Sequence, residues 1–355
     1  MELDEFGTFS AGSAYAYDAN AQLLGAYAQI RLENEIPLQQ VQVSLMPIDP
    51  RTNQVKPWNS IAAEYPNQVF PSAATVTVTI VSDDTLQIDA FTDVRTQISA
   101  RVSKGRSGQA SEYAPIPEVQ NWEQFKAFAA RLEQYQFILR GQDKPVRLRT
   151  SFHRSRRADV ARFLTNDLST LNKHLASRLR HVFNIAIPDD NGAFVALVQH
   201  HGYPTPLLDW TYSPFVAAFF AYRHVQNDRV RDDPNGSVRI FVLDKSSWVQ
   251  RVRQLPMLRP YGLHFSILDV PSIENERLVP QQAVSTVTNV DDVESYIRSY
   301  DTDSARPLLQ VIDLPVRDRT AVMRELSAMG ITAGSMFPGL DGACEELKER
   351  FFLLG

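Results

Sequence analysis

Apolar and polar residues alternate through the first third of the chain. Val41, Val43 and Leu45 take turns with Gln40, Gln42 and Ser44, and positions 75–81 interleave threonine with valine and isoleucine. Thr96, Ile98, Ala100 and Val102 alternate with Arg95, Gln97, Ser99 and Arg101. A repeat of two is what a half-buried strand requires, because successive side chains leave opposite faces of the pleat. Pro, Asn and Asp clusters separate these runs. Residues 1–102 are therefore expected to form an all-β sandwich or small barrel.

Residues 103–118, SKGRSGQASEYAPIPE, are rich in Ser, Gly, Ala and Pro and read as a linker. Beyond them the period changes. Trp122, Phe125, Phe128, Ala129 and Leu132 recur at helical spacing, with Asn121 placed to cap and Gln124 three residues on. Residues 135–139 read as a buried strand. Val160, Phe163, Leu164 and Leu171 mark a second helix, and Phe194, Leu197, Val198 and His201 share one face of a third. Ser213 followed by Pro214 opens a helix to about His224, since proline at the first helical position lacks only an N–H that had no partner. Asn235-Gly236 signals a turn before a strand at 238–243. Another strand at 309–314 precedes a helix carrying Val322, Leu326 and Met329, and a last helix runs from about Leu340 to Phe352. The spacing predicts an α+β domain with a mixed sheet over 119–355. A chain of 355 residues fits two such domains.

Charge divides the chain at the same place. Up to Glu118 there are 7 basic against 14 acidic residues, and after it 29 against 27, giving an acidic front and a mildly basic rear. The single cysteine, Cys344, excludes an internal disulfide framework and favours a reducing compartment. No run of about 18 apolar residues predicts a membrane span, and the acidic N-terminus lacks a secretory signal pattern. A cytoplasmic protein with no membrane partner is the expectation.

Several segments carry candidate chemistry. Arg140 leaves a buried strand beside Gly141 and Gln142. This places a guanidinium where a ligand backbone can approach, or else one that pairs with a carboxylate beside a turn. From Arg140 to Arg162 there are seven arginines and one lysine, a density suited to phosphate groups of a nucleotide or nucleic acid, or to a solvated face. Gln199, His200, His201, Thr205, Asp209, Trp210 and Ser213 lie between apolar stretches, so they are expected to be partly buried and hydrogen-bonded. Adjacent histidines on a helix diverge by about 100°, and neither HExxH nor a cysteine pair is present, so no metal site is expected. Residues 275–282, NERLVPQQ, and the loop 336–342, MFPGLDG, complete the set. Dinucleotide glycine fingerprints, a P-loop and a nucleophile elbow are absent. Cys344 stands beside Glu345 and Glu346, which disfavour a thiolate.

Together these segments resemble the FRG domain family. The family's opening Phe-Arg-Gly stands here as Leu139-Arg140-Gly141, with Gln142 following. Its second motif, QHHGLPTRLLDWT-x-SP, is matched from Gln199 to Ala221 with Pro206 in place of arginine. Its Asn-x-Arg-Ile-x-x-Gln motif is matched by Asn275, Arg277, Leu278 and Gln281, and its closing Phe-Pro-x-Leu-Asp-Gly by Phe337 to Gly342. The resemblance covers residues 119–355. It implies a distant similarity to ADP-ribosyltransferases, NAD as substrate, and a setting in bacterial anti-phage defence. On that footing Arg140, Asp209, Gln281 and His201 would be catalytic: Arg140 anchoring ribose or phosphates, Asp209 facing positive charge, His201 holding a hydroxyl or phosphate. Gln281 would stand where the transferases carry glutamate. Gln142, Gln199, Thr205, Trp210 and Arg277 would bind NAD, with Trp210 stacking on a ring. The resemblance leaves a non-catalytic nucleotide or nucleic-acid binding module as the alternative. It implies a macromolecular acceptor or trigger, with a partner protein at the N-terminal domain.

Overall fold

A computed structural model describes residues 1–17, 23–52, 54–303 and 306–353. They form two compact units. The first comprises Met1–Arg106, Ser151–His174 and Leu258–His264, and the second Ser107–Thr150, Leu175–Met257 and Phe265–Gly355.

The first unit is built from strands β1 (Glu2–Glu5), β2 (Phe9–Ala16), β3 (Gly25–Glu33), β4 (Leu38–Ser44), β5 (Met46–Asp49), β6 (Gln54–Val55), β7 (Ala73–Ser82), β8 (Thr85–Thr92) and β9 (Gln97–Ser103). They make two antiparallel sheets, ordered β1-β2-β3-β5-β6 and β4-β7-β8-β9. Ala28, Ile30 and Leu32 of β3 share one core with Val43 of β4 and Ala74, Val76 and Val78 of β7. The alternation that predicts β4 and β7 is the alternation of that core with solvent, whereas β9 is exposed on both faces although it alternates in the same way. Two later segments, 151–174 and 258–264, belong to this unit rather than to the rear of the chain. Arg157 donates to Asp4 at 2.7 Å and to Asp167 at 2.9 Å, and Tyr261 lies edge-on to Tyr15 and Tyr27. The helix read around Val160 is broken by a wider π-helical turn, Phe163–Asp167, before it resumes as Leu168–Leu175.

The second unit carries β10 (Phe137–Gln142), β11 (Leu207–Thr211), β12 (Ser237–Asp244), β13 (Phe265–Leu268), β14 (Ala283–Thr288) and β15 (Leu309–Pro315) in one sheet, ordered β13-β14-β11-β10-β12-β15. Every neighbouring pair is antiparallel, which corrects the mixed sheet expected from sequence. The strand–helix–strand order around Pro214–Tyr222 does join two parallel strands. β10 lies between them, however, so β11 and β12 never pair and the helix crosses over β10. Apolar clusters cover both faces of the sheet. Leu139, Ile240, Val242 and Ile312 pack beneath the helices Pro214–Tyr222 and Arg319–Ala328, while Ile138, Leu208, Trp210, Phe241 and Val311 pack on the other side with Trp248.

The segment expected as a linker is ordered along this unit from Ser107 onwards. Ser111 donates to the buried Glu294 at 2.8 Å, and Pro115 bridges to Val311. Asn121 caps the helix Trp122–Ala129 through the amide of Gln124 at 3.0 Å. Ser213 caps Pro214–Tyr222 through the amide of Val216 at 3.3 Å. Both caps follow the sequence reading, because each satisfies an amide that the first helical turn leaves open.

Candidate functional site

The sheet of the second unit presents apolar side chains nearly everywhere under its helices, except along β11 and β14. On β11 the pleat sends Leu208 and Trp210 into the far cluster and turns Leu207, Asp209 and Thr211 toward the helices, since Thr211 is paired with Leu139. Ser285 of β14 stands opposite Asp209 on this face. Thr211 donates to the carbonyl of Gln281 at 2.7 Å, and Gln281 donates its side-chain amide to the carbonyl of Met336 at 2.8 Å. The second, third and fourth motif segments are thus tied into one polar strip. Buried polar groups are costly unless they are hydrogen-bonded or used.

The buried charges of this unit are committed to partners. Arg147 holds Asp292 at 2.9 and 3.1 Å, Arg149 holds Asp291 at 2.8 Å, Arg239 holds Asp313 at 2.7 Å, and the fully buried Arg319 holds Glu349. In the motif segments the exposed Glu276 and Asp341 have no partner among the described residues, and two partly buried charges lack an opposite charge as well. The half-buried carboxylate of Asp209 makes neither an ion pair nor a hydrogen bond among the described residues. Arg277 likewise has no carboxylate partner among them; its guanidinium donates to the carbonyl of His200 at 3.2 Å and lies 5.4 Å from the ring centre of Phe337.

Arg223 approaches the same ring to 4.0 Å and forks onto Glu345 at 2.8 and 2.7 Å. Burial lowers the pKa of Arg223; Glu345 opposes this, and the charge of Arg277 adds to the lowering. Two guanidinium groups therefore share one aromatic ring, and only one of them is neutralised. Nδ1 of His200, whose carbonyl takes the Arg277 bond, and Nδ2 of the buried Asn275 are enclosed without a hydrogen-bond partner among the described residues. A positive centre beside unused buried nitrogens suits an anionic group such as phosphate.

The predicted site residues divide sharply. Arg140 shares a sheet face with Phe241 and Trp210, opposite to Asp209. Its guanidinium donates to the main-chain carbonyl of Asp209 at 2.6 Å. Only Leu139 and Thr211 pair between β10 and β11, so this bond holds the two strands together where their ladder ends. Gly141 faces the crossing helix. A Cβ there would lie 2.0 Å from the carbonyl oxygen of Ala217 and 2.6 Å from the amide of Ala221. Its small size serves helix packing, and it makes no turn. Gln142 donates to the carbonyl of Val146 at 3.1 Å.

Trp210 was expected to stack on a ligand. It is instead a core residue, 2% exposed, with its indole N–H given to Thr286 at 2.9 Å. Thr205 is fully buried and its hydroxyl donates to Gln199. His201 is exposed past the end of the helix Pro188–His200, and its neighbour His200 is the enclosed one. Four of the eight basic residues in the arginine run are held by carboxylates. Arg147 and Arg149 are paired within the second unit, and Arg157 and Arg162 lie on Asp4 within the first. Sequence reasoning missed Arg223 and gave His200 no role of its own. Position 223 directly follows the apolar run that marks the second motif, which is the one signal that pointed to it.

Among the described residues no three His, Cys, Asp or Glu side chains gather as metal ligands, and no helix is long and apolar enough to cross a membrane. Neither the curated proteins nor the solved structures give a significant match to the chain. Residues 135–229, which hold β10, Arg140, Asp209 and Arg223, match the family model of the FRG domain.

Proposed function

We propose that the FRG unit binds NAD at the strip between Asp209 and Arg277 and consumes it, acting as an ADP-ribosyltransferase or NAD glycohydrolase. The observation that carries this reading is that the partly buried Asp209 and Arg277 have no opposite charge among the described residues, in a unit whose buried charges are ion-paired or hydrogen-bonded. Arg277 supplies the positive charge that a pyrophosphate needs, with Phe337 as an apolar platform beside it. Asp209, flanked by Ser285, faces the ribose. As the bond between the ribose carbon and the nicotinamide nitrogen breaks, nicotinamide leaves with the electron pair and the sugar becomes cationic. A fixed carboxylate stabilises that charge more than it stabilises the neutral-ribose ground state, and this difference is what accelerates the step. Water or a nucleophile of a macromolecular acceptor then closes the sugar and gives up its proton. Gln281 hydrogen-bonds and does not act as a base. Within this proposal the chain is an effector of bacterial anti-phage defence in the cytoplasm, and the N-terminal β unit senses or binds a protein trigger.

One observation favours a second reading, a nucleotide-binding module without turnover. The side-chain amide of Gln281, which the resemblance puts where the transferases carry glutamate, is tied to the carbonyl of Met336. The test is nicotinamide release from NAD by the purified chain, with and without cell extract, alongside calorimetric binding of NAD. The enzyme reading expects release that Asp209→Ala abolishes while binding persists, and binding that Arg277→Ala weakens. Binding without release under any condition selects the second reading. Neither binding nor release overturns both.

A further inference from the structure

The last helix of the chain is turned the wrong way round for a surface helix. The helix Leu340–Lys348 continues into the π-helical turn Glu349–Leu353. Its inward positions are Gly342, Glu345, Glu346 and Glu349, and its outward positions include Leu340, Ala343, Cys344, Leu347 and Phe351. The inward carboxylates are committed. Glu345 takes Arg223, Glu346 takes the hydroxyl of Thr332 and the amide of Gly334, and Glu349 takes Arg319. The outward apolar side chains are left in water: Leu340 is 79% exposed, Leu347 48% and Phe351 63%. Residues 340, 344, 347 and 351 follow a 4-3-4 spacing, which is the seam of a helix pair. A continuous apolar stripe of this kind marks an interaction surface.

We propose that the stripe pairs with the same stripe of a second copy of this chain, with the two helices antiparallel. The charges beside the seam select this occupant and this direction. At about 100° per residue, Asp341 and Lys348 fall on one flank of the stripe and Arg350 on the other. In an antiparallel pair each flank meets its own counterpart. With Leu340 set against Phe351, and Cys344 against Leu347, Asp341 lies beside Lys348 of the second copy, and symmetry makes two such contacts. A parallel pair would set Lys348 beside Arg350 of the second copy, two like charges. The helix is only about 20 Å long at roughly 1.5 Å per residue. The contact is therefore below the size of a permanent interface, and the dimer is concentration-dependent.

Sedimentation equilibrium on the full chain tests the proposal. The wild type is expected to show a monomer–dimer equilibrium. Leu347→Glu removes two leucines from each dimer and should raise the dissociation constant on the order of 100-fold. Leu340→Lys should act in the same direction. Both positions are exposed, so circular dichroism and thermal melting should remain as in the wild type. Asp341→Lys should weaken the dimer, and the double variant Asp341→Lys with Lys348→Asp should restore it. A bismaleimide of about 10 Å span should join two copies through Cys344, the only cysteine, since paired helices lie roughly 8–10 Å apart. A monomer at every soluble concentration overturns the proposal, as does a dimer indifferent to Leu347→Glu. A dimer broken by Leu347→Glu but not weakened by Asp341→Lys overturns the antiparallel arrangement.

Discussion

Adding one methyl group at Gly141 should unseat the helix Pro214–Tyr222. The new Cβ would stand 2.0 Å from the carbonyl oxygen of Ala217, and ordinary contact begins near 3.4 Å, so sheet and helix must part by more than 1 Å. The atoms it meets belong to the helix backbone, so no rotamer change relieves the clash and shortening Ala217 cannot help. Over-packing of a tight core costs about 3 kcal/mol at the upper end of the common range. Replacing glycine by alanine in a strand returns about 1 kcal/mol of backbone entropy. The net loss expected is about 2 kcal/mol, or on the order of 6 °C in melting temperature for a domain of this size. Urea unfolding followed by tryptophan fluorescence reports mainly the second unit, which holds Trp122, Trp210 and Trp248. Gly202→Ala is the comparison. That residue has φ +87° and open space around it, so only backbone strain, about 1 kcal/mol, should register. If Gly141→Ala leaves stability within about 0.5 kcal/mol of the wild type, the helix does not rest on this glycine. The motif glycine would then have to be explained by a ligand.

Four further expectations follow from the same contacts. Trp210→Phe should cost about 1–2 kcal/mol in urea unfolding, because the buried Thr286 loses its partner, while NAD affinity measured by calorimetry stays unchanged. Arg147→Ala strands Asp292 and should cost about 3 kcal/mol by the same assay; a loss under about 1 kcal/mol would show the pair to be solvated. Burial, reinforced by Asp159, raises Glu2 from its ordinary range to about 8. The folded state then holds the proton more tightly than the unfolded state. The contribution of Glu2 is complete below about pH 4.5 and is lost as pH rises toward about 8, at up to about 1.4 kcal/mol per pH unit. Glu2→Gln should remove that decline from melting curves taken across this window, and an unchanged slope would refute the assignment. Finally, the arginine run should give no salt-sensitive binding to DNA or RNA in gel-shift assays; a binding constant falling steeply with salt, and abolished by Arg149→Ala with Arg157→Ala, would show that those ion pairs open.

What could be read from the sequence, and what could not, separates by distance along the chain. The strands β4, β7 and β9 and the caps Asn121 and Ser213 depend on neighbours within a few residues, and the linear pattern contains all of them. Arg147 meets Asp292 and Arg157 meets Asp4, each more than a hundred residues away. No spacing rule brings those partners together, so the sequence does not tell the arginines that carboxylates hold from those that face outward. β11 escaped notice because LLDWT is short and its acid sits among apolar residues on the sheet face that the helices cover. The last helix shows the same limit from the opposite side. An apolar stripe at helical spacing is ordinarily the buried face. Arg223 and Arg319, distant in sequence, draw the glutamates inward and turn that stripe out to solvent. The features that set Asp209 and Arg277 apart are of this long-range kind as well. Their lack of an opposite charge is visible only once the buried charges of the unit have been matched to their partners, so the motif residues worth mutating first are those two, ahead of the Arg140-Gly141 pair from which the family takes its name.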